Sequence, residues 1–125
     1  TCYVVAERFS SADLLHGPIA IVEQSFPAFL FGAPGVTWPV IREMLGKLEG
    51  LGAESLLITD RSNRDAPKSA IRVPAMLAHK GKLPADVYTP IPYIIPAQLF
   101  AASLAEVKGL DPDRPRGLSK VTQTL

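Results

Sequence analysis

The sequence predicts an α/β fold: a three-layer sandwich with a parallel sheet of four or five strands and a C-terminal extended arm. Three observations point to it. Pro27-Ala-Phe-Leu-Phe31 and Ser55-Leu-Leu-Ile-Thr59 are continuous apolar runs, the pattern of strands buried on both faces of a parallel sheet. A helical pattern lies between them with short connections, making a βαβ unit with a right-handed crossover. After Gly109 the chain carries Pro112 and Pro115, which exclude helix and central strand from that stretch.

The elements follow in order. Tyr3-Val-Val-Ala6 is a short run rich in β-branched residues and reads as a strand. Ser10 or Ser11 caps a short helix through about Leu15, with Asp13 in its first turn. Gly17-Pro18 turns the chain. Ile19-Ala-Ile-Val22 is too short for periodicity to separate strand from helix. Pro27–Phe31 is a strand, and Thr37-Trp-Pro39 starts a helix with proline in its first turn. Val40, Ile41, Met44, Leu45, Leu48 and Leu51 then recur at helical spacing, until Gly50 and Gly52 end the helix.

Ser55–Thr59 is the next strand, followed by Asp60. Ser62–Lys68 is a polar loop, Ala70–Val73 a short strand closed by Pro74, and Lys80–Pro84 a loop. A long helix is expected from about Tyr88 to Lys108, with Gly109 as its cap. Its prolines at 90, 92 and 96 should distort the first half. Two regions result: residues 1–110 as the domain and residues 111–125 as the arm.

Bulk properties narrow the function classes. At 125 residues the chain is one domain at most, and 47% hydrophobic residues suffice for a core. A net charge of +1 argues against a nucleic-acid or anionic-membrane partner. Pro92 and Pro96 interrupt the longest apolar stretch, so no membrane span is expected. Cys2 is the sole cysteine, which rules out an internal disulfide and suits a reducing, cytoplasmic setting. No basic region followed by an apolar segment marks a secretion signal. One Cys and two distant His make no zinc cluster, and no Walker-type loop is present.

Few residues stand out chemically. Lys120 sits on an arm whose Leu118, Val121 and Leu125 suggest docking, and a positioned amine can form an imine with a sugar carbonyl. Arg114 and Arg116 nearby would favour its neutral form. His16, in a His-Gly-Pro turn, suits proton transfer near neutral pH, although a plain turn role fits as well. His79 reads as a surface residue. Glu7 and Asp13 read as structural anions, Asp13 at a helix N-terminus, with an acid pair for general acid/base work the lesser alternative. Gly32-Ala-Pro-Gly35 reads as an ordinary βα turn, with anion contact the lesser alternative.

Three stretches carry a resemblance. Asp111-Pro-Asp-Arg-Pro-Arg-Gly-Leu-Ser-Lys120 is similar to the C-terminal tail of proteins with two sugar isomerase (SIS) domains. Ala6-Glu7 with Asp13-Leu-Leu-His16-Gly17-Pro18 resembles that family's Ala-Glu followed by Glu-x-x-His-Gly-Pro. Pro96-Ala-Gln98-Leu-Phe-Ala-Ala resembles the helix before the tail. Asp13 stands where the family has Glu, and Leu15 where the family's synthase has Lys.

The resemblance implies the last part of a second, flavodoxin-like SIS domain. It implies an enzyme acting on hexose or amino-hexose 6-phosphates by ring opening, imine formation and proton transfer between C1 and C2. Lys120 would form the imine and His16 would serve ring opening from the neighbouring subunit of a homodimer. Ser119 and Leu118 would contact the substrate. No cofactor or metal is implied. The proton-transferring glutamate would precede Thr1, so these residues alone should not turn over. The alternative from another class is a regulatory SIS module that binds a phosphosugar without catalysis.

Overall fold

The computed structural model describes residues 2–75, 85–114 and 116. It has two compact units, one spanning Arg8–Ile94 and one made of Thr1–Glu7 with Ile95–Leu125.

The larger unit opens with helix α1, Ser11–Leu15. Ser10 is its cap: the Ser10 Oγ accepts the Asp13 backbone N–H at 3.1 Å and donates to the Asp13 carboxylate at 2.6 Å. That satisfies one orphan donor of the first turn. The ambiguous stretch after Gly17 is a 3₁₀ turn, Pro18–Ile21. Proline at its first position sets φ for such a turn and cannot donate to a strand ladder.

Strand β1 is Pro27–Phe31, helix α2 is Trp38–Gly50, β2 is Glu54–Asp60 and β3 is Ile71–Val73. The sheet is parallel in the order β1-β2-β3, with Leu30 opposite Leu57 and Ile58 opposite Ile71. The βαβ unit is present as expected. Trp38, Met44, Leu45 and Leu48 of α2 form one buried cluster with Leu30 and Leu57. Each such side chain contributes roughly 1.5–3 kcal/mol through burial.

The α/β class with a parallel sheet is as expected, and several details differ. The sheet has three strands among the described residues, where four or five were expected. Tyr3–Ala6 is not a strand: no described strand pairs with it, and Tyr3, at φ 50, leaves the extended region. An unpaired run of β-branched residues has preference for a strand but no ladder to join. Strand β1 is buried on one face only. Among the described residues it is the first strand of the order β1-β2-β3, with Leu30 buried and Phe29 and Phe31 39% and 44% exposed on the other side. The final helix, α3, starts at Pro90, after a 3₁₀ turn at Ala85–Tyr88, and runs to Val107. Pro90 and Pro92 fall in its first turn, where the missing N–H groups would have no partner anyway. Only Pro96 lies inside the helix.

A close approach fixes the end of β1. A Cβ built on Gly32 would sit 2.8 Å from the Ile41 Cγ2 and 3.2 Å from both the Leu57 Cδ1 and the Trp38 ring. The Ile41 methyl is on a β-branched helical side chain and cannot swing away. Gly32→Ala is therefore expected to destabilise the fold by about 1–3 kcal/mol. Denaturant unfolding should show a lower midpoint at unchanged slope; an unchanged midpoint would contradict the packing described.

In the smaller unit, α3 ends in a Schellman motif. Gly109, at φ 64, donates its N–H to the Glu106 carbonyl at 2.9 Å, and Leu110 donates to Ala105 at 2.8 Å. An Asx turn follows: the Asp111 carboxylate accepts the Asp113 N–H at 2.8 Å, and the Asp111 carbonyl accepts the Arg114 N–H at 3.2 Å. The root of the arm is therefore shaped by local hydrogen bonds.

Candidate functional site

In parallel α/β sheets, ligand crevices form beyond the carboxyl ends of the strands. The larger unit has a cleft of about 430 Å³ at that end of β1, lined by Phe31, Ala33, Thr37, Thr89, Tyr93 and Ile94. Its walls are mainly apolar, with two threonine hydroxyls and one tyrosine as polar groups.

A buried polar network supports this edge. Thr59, fully buried near the end of β2, donates its hydroxyl to the Gly32 carbonyl at 2.6 Å. Asn63, also buried, donates its side-chain amide to the Thr59 hydroxyl at 3.0 Å. Arg72 of β3 donates to the carbonyls of Asn63 at 2.6 Å and Ala66 at 2.9 Å. The loop after β2 is thus pinned by Asn63 to Thr59 of β2, which itself bonds the Gly32 carbonyl beyond β1, and by Arg72 to β3.

Asp60 is the buried carboxylate of the network, 4% exposed. One oxygen accepts from the Ser62 N–H at 2.8 Å and the Ser62 hydroxyl at 2.5 Å, and the other accepts from the Tyr93 hydroxyl at 3.0 Å. Burial first, then the hydrogen bond and negative charge of Asp60, hold the Tyr93 phenol well above its ordinary pKa. Tyr93 accordingly stays a neutral donor across physiological pH. It ties the start of α3 to the end of β2.

The residues singled out in the sequence fall as follows. His16 is the exposed C-cap residue of α1, and its backbone N–H donates to the Asp13 carbonyl at 3.2 Å. Asp13 serves the helix cap, as its structural reading held. Glu7 is exposed and belongs to the smaller unit. The segment Gly32–Gly35 links β1 to α2. Lys120, Ser119 and Leu118 lie outside the described residues, as do His79 and the loop Lys80–Pro84. Among the described residues no group of three or more His, Cys, Asp or Glu could hold a metal ion. None of the described helices is long and apolar enough to cross a membrane.

Sequence reasoning missed the Thr59–Asp60–Asn63–Tyr93 network. Its visible signal was two polar residues closing an apolar strand. It also missed Tyr3. In the smaller unit the Tyr3 hydroxyl accepts the Arg116 backbone N–H, and the Arg116 guanidinium lies 5.1 Å from the Tyr3 ring centroid. Beside it Lys108 donates its ammonium to the Cys2 carbonyl at 2.9 Å.

No protein-family model matches the chain. It is 34% identical over 118 residues to the glutamine–fructose-6-phosphate aminotransferase (isomerizing) of Thermococcus kodakarensis, covering 94% of this chain and 18% of that protein. It is 35% identical over 122 residues to the protein of the same name from Pyrococcus horikoshii, covering 94% and 19%. The chain thus spans about a fifth of the length of the curated relatives it matches. Among solved structures it matches the C-terminal domain of glucosamine-fructose-6-phosphate aminotransferase from Francisella tularensis with a TM-score of 0.74. That match has 24% identity and covers 90% of this chain and 30% of that one, a likeness of fold.

Proposed function

Because the chain is homologous to the C-terminal, isomerase (SIS) domain of the glutamine–fructose-6-phosphate aminotransferases, we propose that it contributes to aldose–ketose isomerisation of a hexose 6-phosphate. The observation that carries this reading is the extent of the likeness. More than a third of the aligned residues are identical to the Pyrococcus relative over 94% of the chain. The relatives are named as isomerizing aminotransferases, which favours isomerisation over amino-sugar deamination.

In this reading each residue has a defined task. His16 donates a proton to the ring oxygen as the sugar opens, a step suited to an imidazole near neutral pH. The neutral amine of Lys120 then adds to the C2 carbonyl of the ketose, and the adduct takes up a proton on its hydroxyl and expels water, leaving a protonated imine. The positive nitrogen acidifies the C1 hydrogens. A carboxylate supplied by residues outside this sequence moves a proton between C1 and C2. Ser119 and Leu118 flank the amine and contact the substrate. The occupant is a phosphosugar, and the setting is cytoplasmic.

The active unit in this reading is a homodimer in which His16 serves the partner's site. A test follows from that sharing. In the enzyme that carries this chain, His16→Ala and Lys120→Ala should each lose isomerisation of fructose 6-phosphate when alone. Mixed heterodimers should regain a part of it, because one of the two composite sites is then intact. Heterodimers that form and stay inactive would refute shared sites. Single variants that keep full activity would refute the residue roles.

A further inference from the structure

We propose that Tyr3 is a positioning residue that latches the root of the C-terminal arm and so restricts where Lys120 can reach. The proposal rests on the reading of Lys120 given above. It starts from Tyr3 itself, a bulky residue at φ 50. L-residues with large side chains avoid that region unless the surroundings hold them there. The holding contacts are those to Arg116: the phenol oxygen accepts its backbone N–H, and the ring face lies under its guanidinium at 5.1 Å. These contacts use both the polar tip and the π-face of one side chain. The ammonium of Lys108, at the end of α3, holds the neighbouring Cys2 carbonyl at 2.9 Å. The N-terminal segment is thereby fastened at two successive residues, once to the helix end and once to the arm.

Chain geometry turns this latch into a constraint on the amine. Arg116 precedes Lys120 by four residues, so a fixed Arg116 confines the Lys120 Cα to within about 14 Å. Without the latch, the described hydrogen bond nearest to Lys120 in sequence is that of Arg114, whose N–H donates to the Asp111 carbonyl. Six residues of chain then reach about 21 Å. The accessible volume scales as the cube of that reach, so the latch cuts it to about a third. Restricting orientation as well adds to the gain. A merely stabilising role for Tyr3 would affect the fold without changing the rate at which Lys120 meets a carbonyl.

The experiment uses the enzyme that carries this chain, with Tyr3→Phe and Tyr3→Leu variants. Two quantities are measured: hydrogen exchange at the Arg116 amide, and the rate of borohydride-trapped imine at Lys120 with saturating fructose 6-phosphate. Tyr3→Leu should speed Arg116 exchange about fivefold, as expected for one lost hydrogen bond. It should slow trapping by about three- to tenfold, with the KM for the sugar unchanged. Tyr3→Phe keeps the ring and loses the acceptor, so it should fall between, and it decides the matter if Tyr3→Leu fails to fold. Unchanged Arg116 exchange would overturn the latch. Faster exchange with unchanged trapping would overturn its positioning role. A wild-type enzyme that traps no imine at Lys120 would overturn the reading of Lys120, and this role with it, while Arg116 exchange would still report the latch.

Discussion

Lys120→Arg is expected to abolish imine trapping and to lower turnover of fructose 6-phosphate by about 10³-fold or more. The reason is chemical. A neutral primary amine can add to a carbonyl and lose water, whereas a guanidinium stays protonated and cannot form the imine. Arginine keeps the positive charge and most of the apolar stem, so stability should change by no more than about 0.5 kcal/mol. Sodium borohydride with fructose 6-phosphate should leave a reduced adduct on the peptide that contains Lys120, and peptide mass analysis locates it. An adduct on Lys108 would reassign the nucleophile. Full activity in the arginine variant would remove imine chemistry from the mechanism.

Asp60→Ala is expected to be the most damaging change to the larger unit, costing about 2–4 kcal/mol of stability. The carboxylate accepts three hydrogen bonds, from the Ser62 N–H, the Ser62 hydroxyl and the Tyr93 hydroxyl. Its removal leaves the buried Tyr93 hydroxyl without that acceptor, and an unmade buried bond carries its full desolvation cost. Tyr93→Phe should cost less, since Ser62 still satisfies one carboxylate oxygen. The same pair has a pH signature. Tyr93 titrates above its unfolded value, so folding favours its protonated form. That contribution is whole below about pH 10 and is lost as pH rises further. Absorbance near 295 nm during alkaline titration should therefore keep its step around pH 10 in Tyr93→Phe. A smaller step in the variant would mean that Tyr93 ionises like an exposed phenol.

Much of the fold was legible because it rests on short-range rules. The apolar runs of β1 and β2, the periodic face of α2 and the glycine ends of both long helices each specify an element within a few residues. Ser10 as cap of α1 follows from the same local chemistry. The likeness to sugar isomerase domains was also readable, since Asp111–Lys120 and the His-Gly-Pro turn are contiguous strings.

What needed tertiary structure was anything that depends on a distant partner. Tyr3–Ala6 has strand-forming residues, yet no described strand pairs with it, and propensity cannot supply a ladder. Strand β1 carries a run suited to burial on both faces, yet Phe29 and Phe31 are 39% and 44% exposed. Asp60 and Tyr93 are 33 residues apart, and nothing local in either predicts their bond. Tyr3 and Arg116 are separated by 113 residues, so their contact was invisible in the string. By itself the sequence determined β1, α2, β2 and α3, the parallel βαβ order and the chemical strings at His16 and Lys120. Only the folded chain decided which faces stay open, which polar groups share one buried network and what grips the root of the arm. Local preference is set by neighbours along the chain, whereas burial and hydrogen-bond partners are set by residues that meet only after folding.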